Sequence, residues 1–495
     1  MTGDEAMSVV TSGGPALIKA RESSPDPAVR RRSRATTPQR IWALTITVAV
    51  LAMVLAAVVT QGITGVRGGL RDIGHRSGPQ VVATSDAYFA LNDMDAQVAN
   101  VLLVGDERNL GVGRDKALGI YEQRRRQADA DLQQAAAVGA GDPAAQRAIR
   151  TVLDALGRYE ALTAQAILVD GDVHHVAGRP SPTALGLYRQ ATDLLKNQLL
   201  PAAAGLTEAN SGALEHSYQA KHAQAVRTAV LTALTGAALI GVLIGLQIML
   251  TRRFRRRFNP FLLLATLVTG MTLVAGVTTL TGAAGHLRAA KKDAFDSVLA
   301  LSQARAVGYD ANADESRYLV DPSRRPEYEQ AFLAKTQQLA ALPSVTTPAG
   351  YPTALRQAWN AYGADHTDIG WGGYLGTEFR NITFPGERDL AERTLSAFLT
   401  YQQDDSTMRA LAGRGRLHDA IRFNTAYTPG NSNYDFDQYD KNLTALIDLN
   451  RSHFATSIRA GEKDLSGWSL IPWAVALGVA GIAFAGVRPR LAEYR

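Results

Sequence analysis

Cysteine is absent from this chain of 495 residues, which removes disulfides, thiolate metal sites and cysteine nucleophiles together. Charge is absent from four long stretches: 41–63, 229–250, 261–285 and 468–487 contain no ionisable residue. Crossing a hydrocarbon core takes about 20 consecutive apolar residues in a helix, so each stretch is expected to be a transmembrane helix. Carriers and pumps place carboxylates, histidine, lysine or arginine inside the membrane, and spans without any exclude that class. Enzyme signatures are missing as well. There is no Gly-x-Ser-x-Gly elbow, no HExxH and no kinase motif set, so no catalytic residue and no cofactor is expected.

What is present is a basic residue pattern on alternate span boundaries. Arg30, Arg31, Arg32, Arg34 and Arg40 precede the first span, Arg252, Arg253, Arg255, Arg256 and Arg257 follow the second, and Arg488, Arg490 and Arg495 follow the fourth. Basic loops stay on the cytoplasmic side. The expected location is therefore the plasma membrane, multi-pass, with both termini cytoplasmic. These cytoplasmic pieces hold 15 of the 52 basic and 5 of the 46 acidic residues, which leaves the remainder with 37 basic against 41 acidic. The net charge of +6 thus reports topology and argues against a nucleic-acid partner.

The expected fold class is an all-α membrane protein: four transmembrane helices and two extracytoplasmic helical bundles, read as a duplicated unit. The division is a disordered basic tail over 1–40, spans at 41–63, 229–250, 261–285 and 468–487, outer domains at 64–228 and 286–467, a basic turn at 251–260 and a tail at 488–495. Leu91, Met94, Val98 and Val101 recur at helical spacing in the first outer domain, as do Leu443, Ile447 and Phe454 in the second. Leu187, Ala191 and Leu194 start a further run that Pro201 is expected to break. The repeat rests on Leu103-Val104 and Tyr121-Glu122-Gln123, matched by Leu319-Val320 and Tyr328-Glu329-Gln330. Strand signals are nearly absent.

Several motifs invite chemistry. Gly241 and Gly245 form a GxxxG pair, and Ala474, Gly478, Gly481 and Ala485 crowd the fourth span, the small residues that let helices approach in lipid. His174-His175 beside Asp170 and Asp172 lacks further converging ligands, and the Asp435, Asp437, Asp440 series lacks the glycine of a calcium loop. No metal site is expected. The stretch 366–384, rich in glycine and aromatics, bears Trp371, Tyr374, Phe379, Arg380 and Phe384. These residue types dominate interface hot spots and mark it as a partner-contact loop, unless it folds back as a lid over its own bundle. Thr37, before Pro38 in a basic flank, is a phosphorylation candidate whose added charge would weaken a membrane contact.

The four spans, the two helical outer segments, the RRFRRRF turn and the closing RPRLAEYR together resemble the GlnX-type membrane proteins of actinobacteria. The resemblance implies a relay: an extracytoplasmic solute-binding protein loaded with an acidic amino acid or its amide docks outside, and a cytoplasmic Ser/Thr kinase reads the state inside. The expected function is a transmembrane sensor or signal-relay protein for amino-acid state, with membrane lipid, these two proteins and a second copy in a homodimer as partners. A direct small-ligand receptor and a structural envelope scaffold are the alternatives. A buried arginine or histidine between bundle helices facing a cavity favours the receptor; an exposed aromatic patch on the second outer domain favours docking; neither leaves the scaffold.

Overall fold

The computed structural model describes residues 37–107, 110, 111, 113–138, 143–254 and 259–492. Thr37 opens the first helix, but its side chain falls outside the described residues, as do the 30–34 and 255–257 arginines. No strand occurs among the described residues.

Fifteen helices over the described residues follow in order: α1 (Thr37–Asp72), α2 (Gly78–Val104), α3 (Arg114–Val138), α4 (Pro143–Gly171), α5 (Pro182–Leu194), α6 (Leu200–Phe254), α7 (Pro260–Arg288), α8 (Asp296–Val320), α9 (Arg325–Leu339), α10 (Tyr351–Ala364), α11 (Gly373–Asn381), α12 (Glu387–Gly413), α13 (Leu417–Thr425), α14 (Ser432–Asp464) and α15 (Ile471–Ala492). Four helices are long and apolar enough to cross a membrane, which suggests a multi-pass membrane protein. The fourth begins at Ile471 rather than Trp468. Gly467, at φ +81°, and the turn after α14 intervene, and Pro472 takes the first helical turn, where its missing N–H costs nothing.

α1, α6, α7 and α15 pack side by side through Val48, Leu55, Val59, Leu243, Leu280, Val479 and Ala483. Lipid is as apolar as leucine, so close backbone approach has to hold such helices together. The glycines that achieve this are not the expected ones. A Cβ on Gly241, Gly245, Gly478 or Gly481 would meet nothing within 4 Å, whereas one on Gly62 would lie 2.3 Å from Thr228 and one on Gly65 2.4 Å from Gln224. A tight seam therefore runs between α1 and α6, along Gly62, Gly65 and Gly69, with a second close approach between α6 and α7 at Gly236, where a Cβ would lie 2.5 Å from Leu273.

Three of the spans do not stop at the membrane boundary. Continuous helix runs over Pro38–Val104, Pro182–Arg252 and Pro260–Val320, each interrupted by one π-helical stretch: Ile73–Ser77, Leu195–Leu199 and Ala289–Phe295. Pro201 does not break its helix. It follows the second π-turn by two residues, as Pro79 follows the first, and the widened turn absorbs the lost N–H and the ring clash that proline brings. The third π-turn has no proline. There Asn381 of α11 donates its side-chain amide to the carbonyls of Lys292 (3.1 Å) and Asp293 (3.3 Å), satisfying groups that the irregular turn releases.

The polar segments expected to form separate bundles share a core. Leu91, Val98 and Leu102 of α2 pack in one cluster with Tyr318 and Leu319 of α8, Tyr328 of α9, Met408 of α12 and Ile421 of α13. α2 and α8 lie against each other at the centre of one helical body. Both are buried nearly all round, which is the behaviour of a helix surrounded by others.

Candidate functional site

Burying α2 and α8 on every side forces their polar residues to find partners inside the protein. Asp95 of α2 accepts hydrogen bonds from Tyr159 Oη (3.1 Å), Tyr188 Oη (3.0 Å) and Thr192 Oγ1 (3.0 Å), all from the first segment. Its remaining partner is Arg317 of α8, whose Nη2 lies 2.7 Å away, with both side chains fully buried. Arg317 also reaches Asp310 (3.0 Å) and Asp314. Lys335 of α9 donates to Asp310 and Asp314, and Lys196 to Asp314.

Three carboxylates and three cations thus balance in one network joining the segments. Burial pushes the Asp310 carboxyl up, but the charges of Lys335 and Arg317 outweigh it and hold it below the usual range. Asp314 is held low in the same way by Lys335 and Lys196. Around Arg317, burial works against the charge, while Tyr188, Asp314 and Asp95 hold the guanidinium firmly protonated. Removing one member of such a network strands the others, at about 3–5 kcal/mol. The network is a lock between segments.

Toward the membrane from this lock, one to three helical turns along each helix, the same interface opens into a cleft of about 220 Å³. Ser85 and Tyr88 enter from α2, Thr207 from α6, Gln303 from α8, Gln338 from α9 and Tyr374 from α11. Ser85 and Thr207 donate to carbonyls of their own helices, Val81 (3.0 Å) and Ala203 (3.2 Å), which leaves their oxygens free to accept. The side-chain polar groups of Gln303, Gln338 and Tyr374 make no hydrogen bond among the described residues, while the Tyr88 phenol meets the Asn92 side chain one turn on. Burial, with the nearby Asp310 carboxylate, pushes the Tyr88 phenol up to about 12, so it stays a neutral donor. Donors and acceptors converge on a half-enclosed space, the composition of a small-molecule site.

The aromatic loop folds back on its own chain. Trp371 is only 2 % exposed and Phe379 5 %; they meet edge-to-face at 5.0 Å and both stand against Tyr362. Arg380 donates to the carbonyls of Gly376 (2.8 Å), Trp371 (2.9 Å) and Ile369 (3.2 Å), tying the loop shut. Phe384 stacks on His453 at 4.0 Å. Trp371 and Phe379 are therefore core residues and present no contact surface. Tyr374 alone of the five reaches the cleft, and the structure does not bring the five together as one patch. Part of the stretch expected to be irregular is helical, as α11.

Other motifs resolve locally. His174 pairs with Asp106 and His175 with Asp170, each at 2.8 Å, while Asp440 engages Arg305 (2.6 Å) and Tyr309 (3.0 Å). Among the described residues, no group of three His, Asp or Glu side chains is arranged to hold a metal. Sequence reasoning missed the lock and most of the cleft. The available signal was the density of Asp, Asn and Glu in 92–100 and 310–317 inside otherwise apolar helices.

A family model described as an actinobacterial sensor domain matches residues 69–219, from the last turn of α1 to the upper part of α6. The match supports a sensor protein of actinobacterial type. It takes in Asp95 together with Ser85, Tyr88 and Thr207 of the cleft. No curated protein and no solved structure matches the chain.

Proposed function

We propose that the protein is a transmembrane sensor that binds a small polar ligand directly in the cleft between its two helical segments and passes occupancy down the helices that form the cleft. One observation carries this reading. Residues from three of the four candidate spans line the cleft: Ser85 and Tyr88 on the helix continuing α1, Thr207 on α6, and Gln303 and Val307 on the helix continuing α7. A ligand touching all three biases their relative positions, which is the differential contact that a shift between states requires. The π-turns lie on these helices, where a local change of helix winding is cheapest. The basic flanks support an outward-facing helical body with both termini in the cytoplasm.

Duplication fits this design. Asn100 accepts from Ser316 at 2.8 Å across a separation of 216 residues, and the π-turns that begin at residues 73 and 289 differ by the same 216. Equivalent helices then meet at the centre, with the ligand between them.

The relay implied by the family resemblance is the competing account. Its docking surface loses the anchors Trp371 and Phe379 to the core, and the unpartnered Gln303, Gln338 and Tyr374 in the cleft are the features that favour a direct receptor. The test is thermal unfolding of the purified full chain against small polar metabolites, with and without an amino-acid-binding protein. A true ligand at about 100 times its Kd raises stability by about 2.7 kcal/mol. Ala204 is exposed at the cleft rim, so Ala204→Trp fills the space from outside and abolishes the shift. A shift that survives Ala204→Trp, or that appears only with the binding protein, overturns the reading.

A further inference from the structure

The seam between α6 and α7 is open on its outer side. Val226 and Val230 of α6 face Val277 and Thr281 of α7 across an apolar groove of about 420 Å³, and its polar end carries His222 and Arg288. The apolar track continues along the seam past Val274, Met271 and Leu267, of which Met271 is 66 % exposed. From Arg288 to Val274 the helix rises about 21 Å at 1.5 Å per residue, the depth of one leaflet with its headgroup region.

The charges at the polar end are unequal in one respect. Lys291 and Lys292, just beyond the seam, are consumed by Glu215 and Asp296. Arg288, three residues past the end of the charge-free stretch at Gly285, is exposed and makes no hydrogen bond or ion pair among the described residues. A guanidinium at headgroup level, above a groove of acyl width, matches a phosphate above a hydrocarbon chain in both charge and position.

We propose that this seam is a binding site for one anionic phospholipid, with its phosphate on Arg288 and His222 and an acyl chain along the groove. Bulk lipid wets any membrane helix and gains nothing from an apolar groove over its neighbours. Selectivity therefore comes from the headgroup, and the site discriminates by charge.

The test is native mass spectrometry of the full chain in mild detergent, titrated with phosphatidylglycerol or with phosphatidylcholine of the same chains. The expected result is retention of one phosphatidylglycerol at about tenfold higher affinity than phosphatidylcholine, whose phosphate is the same but whose choline cation cancels the net charge and is repelled by Arg288. Arg288→Gln removes that preference. A Cβ on Gly285 meets nothing within 4 Å, so Gly285→Leu projects into the groove and cuts retention of both lipids while melting is unchanged. Equal retention of the two headgroups in the wild type, or a preference that persists in Arg288→Gln, overturns the proposal in favour of annular lipid alone. The Arg288→Gln comparison decides the matter even where Gly285→Leu fails to fold.

Discussion

The lock and the cleft are neighbouring polar regions of one interface that share three helices, α2, α8 and α9, with the lock's Lys196 in the π-turn leading into the α6 that supplies the cleft's Thr207. In the lock, Asp95 is answered by three hydroxyls and a guanidinium. In the cleft, Gln303, Gln338 and Tyr374 point polar groups at open space with no partner among the described residues. Polar groups that satisfy one another hold a structure in register, whereas groups left unsatisfied at a concave surface are available to a ligand. The contrast gives stability to one region and, under the proposed function, recognition to the other.

Mutations in the core should move stability most. Arg317→Met leaves Asp95, Asp310 and Asp314 without their shared cation and should cost about 3–5 kcal/mol, read as a large fall in melting temperature. Replacing Arg317 and Asp95 together by apolar residues should recover much of that loss, since the cost lies in the stranded charge. Trp371→Ala, which empties a packed aromatic site, belongs to the same range at about 3–5 kcal/mol. A Trp371→Ala variant that melts normally would return the loop to the surface.

A pH-dependent effect should come from α11, one turn past Tyr374. Glu378 of α11 is fully buried, and burial, reinforced by the neighbouring Glu387 charge, pushes its carboxyl up to about 8. An acid with a raised native pKa keeps its proton in the fold and releases it on unfolding. Stability is therefore highest below about pH 4.5 as far as this group is concerned, declines as pH rises toward 8, and is flat beyond. The size is of the order of a few kcal/mol at one pKa unit per ~1.4 kcal/mol. Glu378→Gln should flatten that slope and raise the melting temperature at pH 8. An unchanged slope would show that Glu378 is ionised throughout.

Cleft substitutions should barely register in stability. Gln338→Ala and Tyr374→Phe remove groups without intramolecular partners, so melting should stay within about 0.5 kcal/mol of wild type, while the ligand-induced shift falls by an amount corresponding to about 0.5–1.5 kcal/mol for each hydrogen bond lost. A large stability loss from either would erase the distinction between the two regions.

The spans were legible in the sequence because membrane insertion imposes a long charge-free run that nothing else produces. Their continuation into the helical body was not, since Pro201 reads as a terminator and only the preceding π-turn reveals that it is tolerated. Helical character was legible from the apolar steps of Leu91, Met94 and Val98. The other faces of α2 were illegible: Asp95 and Asn100 look like a solvated side until α8 is placed against them. Glycines misled for a related reason, because GxxxG spacing at Gly241 says where a helix could approach and Gly62 shows where one does. The loop bearing Trp371 carried the right residue types, but composition does not say which way a ring turns.

The central claim is that cleft occupancy reaches the cleft-distant ends of the spans. Because the chain has no cysteine, the exposed Arg40 of α1 and Arg252 of α6 can be replaced by a single labelled cysteine pair in the full chain. Spin-label distances measured in lipid, with and without a ligand that raises melting, test coupling directly. The account predicts a displacement of about 1–2 Å, the scale of helix shifts in switching proteins, that Ala204→Trp eliminates. A ligand that binds the cleft and leaves that distance unchanged would contradict it.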